Sequence, residues 1–152
     1  MQDFKKLRVW KRAHALAVAV CGIAVDLPAR YLRLADQLIG SSSSIPANLA
    51  EGCGRHTTRD QARFFDYAAG STSELEALVL IAQDLHLLDE RSADCLCREI
   101  QEIRAMIYAL LTRLRRSLSN EARDSRTTAR AQSTRTTSRP GTREKLKLKT
   151  EN

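Results

Sequence analysis

The sequence predicts an all-α protein, an antiparallel up-down four-helix bundle followed by a disordered basic tail. Three observations predict it. Apolar residues recur in alternating steps of 4 and 3 over long stretches, the spacing that lines one face of a helix. The 152 residues contain only three prolines and six glycines, and aromatics make up 5%, a balance that disfavours a sandwich or barrel. The connections between the periodic stretches, near residues 28–30, 53–57 and 89–91, are short enough to force antiparallel neighbours.

The first helix is predicted from about residue 7 to 26. Val9, Ala13, Leu16, Val20, Ile23 and Leu27 form its seam, Trp10 lies beside it, and Pro28 ends it. The second begins near Tyr31 and runs to about Gly52 through Ser41-Ser-Ser-Ser-Ile-Pro-Ala-Asn-Leu-Ala-Glu-Gly-Cys-Gly-Arg55, with a kink expected near Pro46. Leu34, Leu38, Ile45 and Leu49 supply an apolar stripe. Gln37, Ser41, Ser44, Asn48, Glu51 and Arg55 supply a polar one, again at helical spacing. Gly52-Cys53-Gly54 offers residues able to take positive φ at the helix end, and His56-Thr57-Thr58 makes the connection.

The third helix opens on Thr58-x-x-Gln61, which fits a capping box, with Asp60 where the helix dipole favours negative charge. Its stripe is Phe64, Ala68, Leu75, Leu78, Ala82 and Leu85, widened by Phe65 and Val79, and it runs to about Leu88. Gly70 within it costs about 1 kcal/mol relative to alanine. Asp89 or Ser92 can cap the fourth helix. Its seam is Leu96, Ile100, Ile103, Ile107, Leu110, Leu114 and Leu118.

From about Ser119 the pattern stops. Residues 119–152 hold too few large apolar groups to offset chain entropy and are read as a disordered Arg/Lys/Ser/Thr-rich tail behind a bundle domain of residues 1–118. The tail holds nine Lys/Arg against four Asp/Glu, so it carries most of the formal net charge of +7. The charged start and the shortness of every apolar run predict neither a signal peptide nor a membrane helix. Cys21, Cys53, Cys95 and Cys97 read as reduced thiols of a cytoplasmic chain. Cys95 and Cys97 on a helix point to nearly opposite faces and cannot easily bridge.

Catalytic and metal chemistry find no support in the motifs. Bundle metal sites use Glu-x-x-His on paired helices, and none occurs; His14, His56 and His86 are scattered. The serines lack a Gly-x-Ser-x-Gly context, and Gly52-Cys53-Gly54 follows a helix without the Lys-Ser/Thr of a phosphate loop. The chain is therefore read as a non-enzyme without cofactor or metal. The polar stripe reads as a structural network instead. Gln37, Ser44, Asn48, Glu51 and Arg55 can meet Arg63, Tyr67, Ser71 and Glu74 on the third helix or on a neighbouring subunit, and a satisfied network fixes register.

Residues 4–118 resemble a known family of bacterial four-helix bundle proteins, some of them encoded in intervening sequences within large-subunit ribosomal RNA genes. The resemblance rests on Phe4-x-x-Leu7-x-Val9-Trp10-Lys11, Leu34-x-x-Gln37-Leu38, Ser44-Ile45-Pro46-Ala47-Asn48-Leu49-Ala50-Glu51-Gly52, and Phe64-x-x-x-Ala68-x-Gly70-Ser71-x-x-Glu74-Leu75-Glu76. It implies an all-α bundle, a ring-shaped homopentamer, and kinship to the accessory protein of diversity-generating retroelements, which binds nucleic acid and a reverse transcriptase. Where that family usually carries basic residues after Gln37-Leu38, this chain has Ile39-Gly40-Ser41.

Charge points the same way. Lys5, Lys6, Arg8, Lys11 and Arg12 cluster at the start, and Arg113, Arg115 and Arg116 end the fourth helix. An up-down bundle brings both clusters to one end, where they can hold RNA or DNA phosphates without reading sequence. The expectation is an oligomeric nucleic-acid-binding or nucleoprotein accessory module. The alternative is a purely structural bundle that assembles with itself or with a protein partner.

Overall fold

In the computed structural model, residues 3–136 are described, with side chains as far as Arg123. The chain divides into two units, residues 1–118 and 119–152. The first unit is the predicted bundle. It holds α1 (Arg8–Val25), α2 (Leu32–Gly54), α3 (Thr58–Asp84) and, as far as residue 118, α4 (Glu90–Thr136), with short 3-10 turns at Phe4–Lys6 and Ala29–Tyr31. Among the described residues there is no strand.

Cross-helix pairs establish the antiparallel order. Ser71 on α3 hydrogen-bonds Ser44 on α2 at 3.0 Å, while Phe65, earlier on α3, approaches Gly52, later on α2. Glu76 on α3 pairs with Arg104 on α4, whereas Asp66 reaches Arg115 at 2.8 Å. Arg12 on α1 pairs with Glu99 on α4 at 2.7 Å, and Lys6 and Arg8 lie across from Arg113. Each helix therefore runs against its sequence neighbour, and α4 also against α1.

The core is one cluster drawn from all four helices. Fully buried Leu38, Ile45, Leu49, Phe65, Leu75, Val79, Ile100, Ile103 and Ile107 form its middle. Burying each such side chain contributes about 1.5–3 kcal/mol. Three polar residues, Ser41, Ser42 and Thr72, are buried with it. Their hydroxyls donate back to carbonyls of the preceding turn, Ser41 to Gln37 at 2.8 Å and Thr72 to Ala69 at 2.6 Å, so none is left unsatisfied. Ser41 thus belongs to the packed side of α2 rather than to its polar stripe. Small side chains here let α2 and α3 approach closely.

Several boundaries differ from the sequence reading, each for a local reason. α3 is capped by Thr57, not Thr58: the Thr57 hydroxyl accepts from Asp60 N–H at 3.0 Å and donates to the Asp60 carboxylate at 2.8 Å. The reciprocal pair is therefore Thr57 and Asp60, one residue before the predicted box. α2 runs unbroken through Pro46 and through Gly52 to Gly54, and no glycine among the described residues takes positive φ. The positive φ falls instead on His86, at 56°. Leu87 N–H bonds Ala82 C=O at 2.9 Å and His86 N–H bonds Gln83 C=O at 2.8 Å, a Schellman closure that ends α3 at Asp84 rather than near Leu88.

Inward positions also shift by one residue on two helices. On α4 the buried residue after Ile107 is Leu111, while Leu110 is only partly buried. On α3, Phe65 is core and Phe64 sits at its edge. Asp89 caps α4, accepting from Ser92 N–H at 2.9 Å and from its hydroxyl at 2.6 Å. Helical backbone in α4 continues past the last apolar position, Leu118, to Thr136. The remainder of the predicted tail, residues 137–152, lies outside the described residues.

Candidate functional site

Three segments converge at one end of the bundle: the start of α1, the α2–α3 turn, and α4 around residues 113–116. The Trp10 indole N–H donates to the Pro46 carbonyl at 3.1 Å, tying α1 to α2. The Phe4–Lys6 turn packs against α2, and burial pushes the Cys53 thiol pKa up, with the Asp3 carboxylate adding to it. Arg115 Nη2 on α4 donates to both Asp66 oxygens on α3, at 2.8 and 2.9 Å, at the surface.

The predicted cationic residues divide into two sets. Lys6, Arg8 and Arg113 rim one groove between α1 and α4, floored by Leu7, Met106 and Leu110. Lys5 lies 6.0 Å from the Phe4 ring centroid, and Lys11 and Arg116 are exposed. Arg12 and Arg115 are engaged by carboxylates of the chain itself, Arg12 half-buried and Arg115 at the surface. The Arg12 fork donates to both oxygens of Glu99 at 2.8 and 2.7 Å, with Glu102 at 3.6 Å. Those hydrogen bonds raise the Arg12 pKa further and lower that of Glu99. Arg12 therefore straps α1 to α4.

Sequence reasoning assigned Arg55 and Arg63 to the polar network, passed over Arg59, and did not count the α2–α3 turn as a third cationic segment. Arg55, Arg59 and Arg63 surround the α2–α3 turn and stand at the same end as the two predicted clusters. The signal was available, because antiparallel order puts the second connection beside the first helix start. Among the described residues, Lys6, Arg8, Lys11, Arg59, Arg113 and Arg116 make no ion pair.

The predicted polar network is realised only in part. Asn48 donates to the Ser44 carbonyl at 2.9 Å and to its hydroxyl at 3.0 Å, and Ser71 joins Ser44 from α3. Glu51 pairs with Arg55 one turn on, and Arg63 lies 3.5 Å from Asp60. Arg55 and Arg63 both lie over Phe64, at 4.5 and 5.7 Å from its centroid, and Tyr67 meets that ring edge-on at 5.8 Å. Gln37 and Glu74 are exposed, and Gln37 takes part through its carbonyl alone. Sequence spacing placed these residues on one face, but most of that face looks outward.

The opposite end differs in character. Asp84, Asp89, Glu90 and Asp94 cluster at the α3–α4 turn. Val18, Val25, Leu32, Leu80, Ile81 and Leu85 are exposed in that half, Val25 at 72%. Among the described residues no group of three or more His, Cys, Asp or Glu side chains is placed to hold a metal, and no helix is long and apolar enough to cross a membrane. His14 stacks on Trp10 at 5.1 Å, and His56 and His86 are exposed in separate turns. All four cysteines are free thiols; only Cys53 is buried.

A family model described as 23S rRNA-intervening sequence protein matches residues 5–109. No curated protein matches the chain.

Proposed function

The chain belongs to the 23S rRNA-intervening sequence protein family, and from that premise we propose that its bundle is a non-enzymatic nucleic-acid-binding module whose basic end holds phosphates. The observation that carries the reading is the convergence of three cationic segments, with Lys6, Arg8 and Arg113 around one groove and Arg59 at the adjoining turn. Cations without internal partners are the ones able to neutralise a phosphate and release its counterions. Arg12 and Arg115 stand outside this set, because their carboxylate partners already satisfy them. The contact is phosphate-directed and tolerant of sequence. Free thiols support a reducing, cytoplasmic setting.

The proposed partners include further copies of the same chain. The exposed apolar residues Val18, Val25, Leu32, Leu80 and Ile81 lie away from the basic end and favour self-association there. The family resemblance sets the expected number at five and adds a reverse transcriptase as a protein partner. The same apolar surface supports the second reading, a self-assembling bundle without nucleic acid.

A salt titration of the full-length protein on RNA and DNA separates the two. Binding is expected to fall with a log–log slope of about 0.7 to 0.9 per phosphate contact. Lys6→Gln, Arg8→Gln and Arg113→Gln together are expected to flatten that slope on every sequence tested, while Arg12→Gln changes stability instead. Absence of binding at about 50 mM salt, where such contacts are strongest, overturns the nucleic-acid reading. Light scattering that returns a 17.0 kDa monomer at micromolar concentration overturns the assembly.

A further inference from the structure

The α2–α3 turn carries an arrangement that phosphate binding does not use. Phe64 is half-buried, with the Arg55 guanidinium 4.5 Å and the Arg63 guanidinium 5.7 Å from its centroid. Tyr67, one turn along α3, meets the Phe64 ring at an interplanar angle of 85° and is 54% exposed. Each arginine also has a carboxylate at hand: Glu51 pairs with Arg55, and Asp60 stands 3.5 Å from Arg63.

These pairings decide what the cluster can do. Arginines already paired with carboxylates are weak phosphate clamps, because much of their charge is balanced before a ligand arrives. Their planar guanidinium faces remain, held over an aromatic ring at the surface beside an exposed tyrosine. Aromatic rings and guanidinium planes together are the surfaces on which unpaired nucleobases stack. The phosphates of the same strand would then meet Arg59, Lys6 and Arg8, which have no ion-pair partner among the described residues and stand at the same end.

We propose that Arg55, Phe64 and Tyr67 form a stacking site for an unpaired nucleotide, so that the basic end prefers single strands and loops to duplex. The inference rests on the nucleic-acid reading above and gives it a ligand class. In a duplex the base faces are covered by their neighbours, so only an unpaired base can occupy the site. The stacking contribution is insensitive to salt, unlike the phosphate contribution, and this makes the two separable.

The experiment uses the full-length protein and fluorescence anisotropy with three probes: a 20-nucleotide uridine RNA, a 20-nucleotide adenosine RNA, and the duplex of the two. Arg55→Lys keeps the charge and the Glu51 pair but removes the plane. Tyr67→Leu keeps apolar bulk but removes the ring. Each is expected to weaken single-strand binding about tenfold, to leave duplex binding within about twofold, and to leave the salt slope unchanged. Equal loss on single strand and duplex, or no loss on either, overturns the stacking site while leaving the phosphate-binding end standing. Parent protein that binds none of the three probes overturns the phosphate-binding end as well. Light scattering on both variants completes the test: a change in assembled mass makes the cluster a subunit contact and overturns the stacking site.

Discussion

Gly52 on α2 and the Phe65 ring on α3 meet so closely that a β-carbon has no place between them. A methyl at residue 52 would stand 2.7 Å from Phe65 Cε1 and 3.2 Å from the Gln61 carbonyl oxygen. Phe65 is itself buried, so the ring has nowhere to retreat. Gly52→Ala is expected to destabilise by about 1–3 kcal/mol through overpacking, outweighing the roughly 1 kcal/mol that alanine adds to helix propensity. Gly54→Ala meets nothing within 4 Å and serves as the control. It is expected to be neutral or stabilising in denaturant titration, with opposite sign to Gly52→Ala.

Leu111, rather than Leu110, is the core position at that turn of α4. Leu111→Ala is expected to cost about 2–5 kcal/mol through lost burial and a cavity. Leu110→Ala, in the floor of the α1–α4 groove and only partly buried, is expected to cost less than half as much. Urea titration of both, at equal slope, checks the order.

His86 holds a left-handed backbone at φ 56° to close the end of α3. A side chain there is strained where glycine is not. His86→Gly is expected to raise stability by about 0.5–1 kcal/mol, with unchanged helix content by circular dichroism. His86→Val, whose branched side chain fits the left-handed region worst, is expected to lower it.

Glu76 accepts from Gln101 at 2.7 Å and pairs with Arg104, joining α3 to α4. The Gln101 hydrogen bond and the Arg104 guanidinium hold its carboxyl below the usual carboxylate range, against the opposing effect of burial. A carboxylate with a lowered folded pKa contributes stability that is present above its unfolded value, about 4.3, and lost as pH falls through the folded one. Glu76→Gln is expected to cost about 1 kcal/mol at pH 7. The gap between parent and variant is expected to start narrowing below the unfolded value of about 4.3 and to vanish once pH has fallen through the folded one. A gap that does not narrow at all over the acid limb assigns the loss to packing rather than to charge.

Four amphipathic stripes, short connections and a composition poor in proline and aromatics were enough to determine the all-α bundle and its antiparallel order. Helical periodicity is a local property, and each stripe carries it independently. The same local reading narrowed the α4 cap to Asp89 or Ser92 and located both terminal cationic clusters; the Ser92 hydrogen bonds decide for Asp89. That reading put Leu110 where the core has Leu111, and ranked Phe64 ahead of the buried Phe65, because one residue turns a helix by about 100° and an apolar stripe is about that wide. The neighbouring helix makes the choice. Only the tertiary structure decided that Arg12 belongs to Glu99 and Arg115 to Asp66, since ion-pair partners far apart in sequence leave no periodic trace. It also turned Arg55 and Arg63 onto Phe64 instead of into an internal network. Spacing along one helix says which side chains share a face, and whether that face looks inward depends on what packs against it.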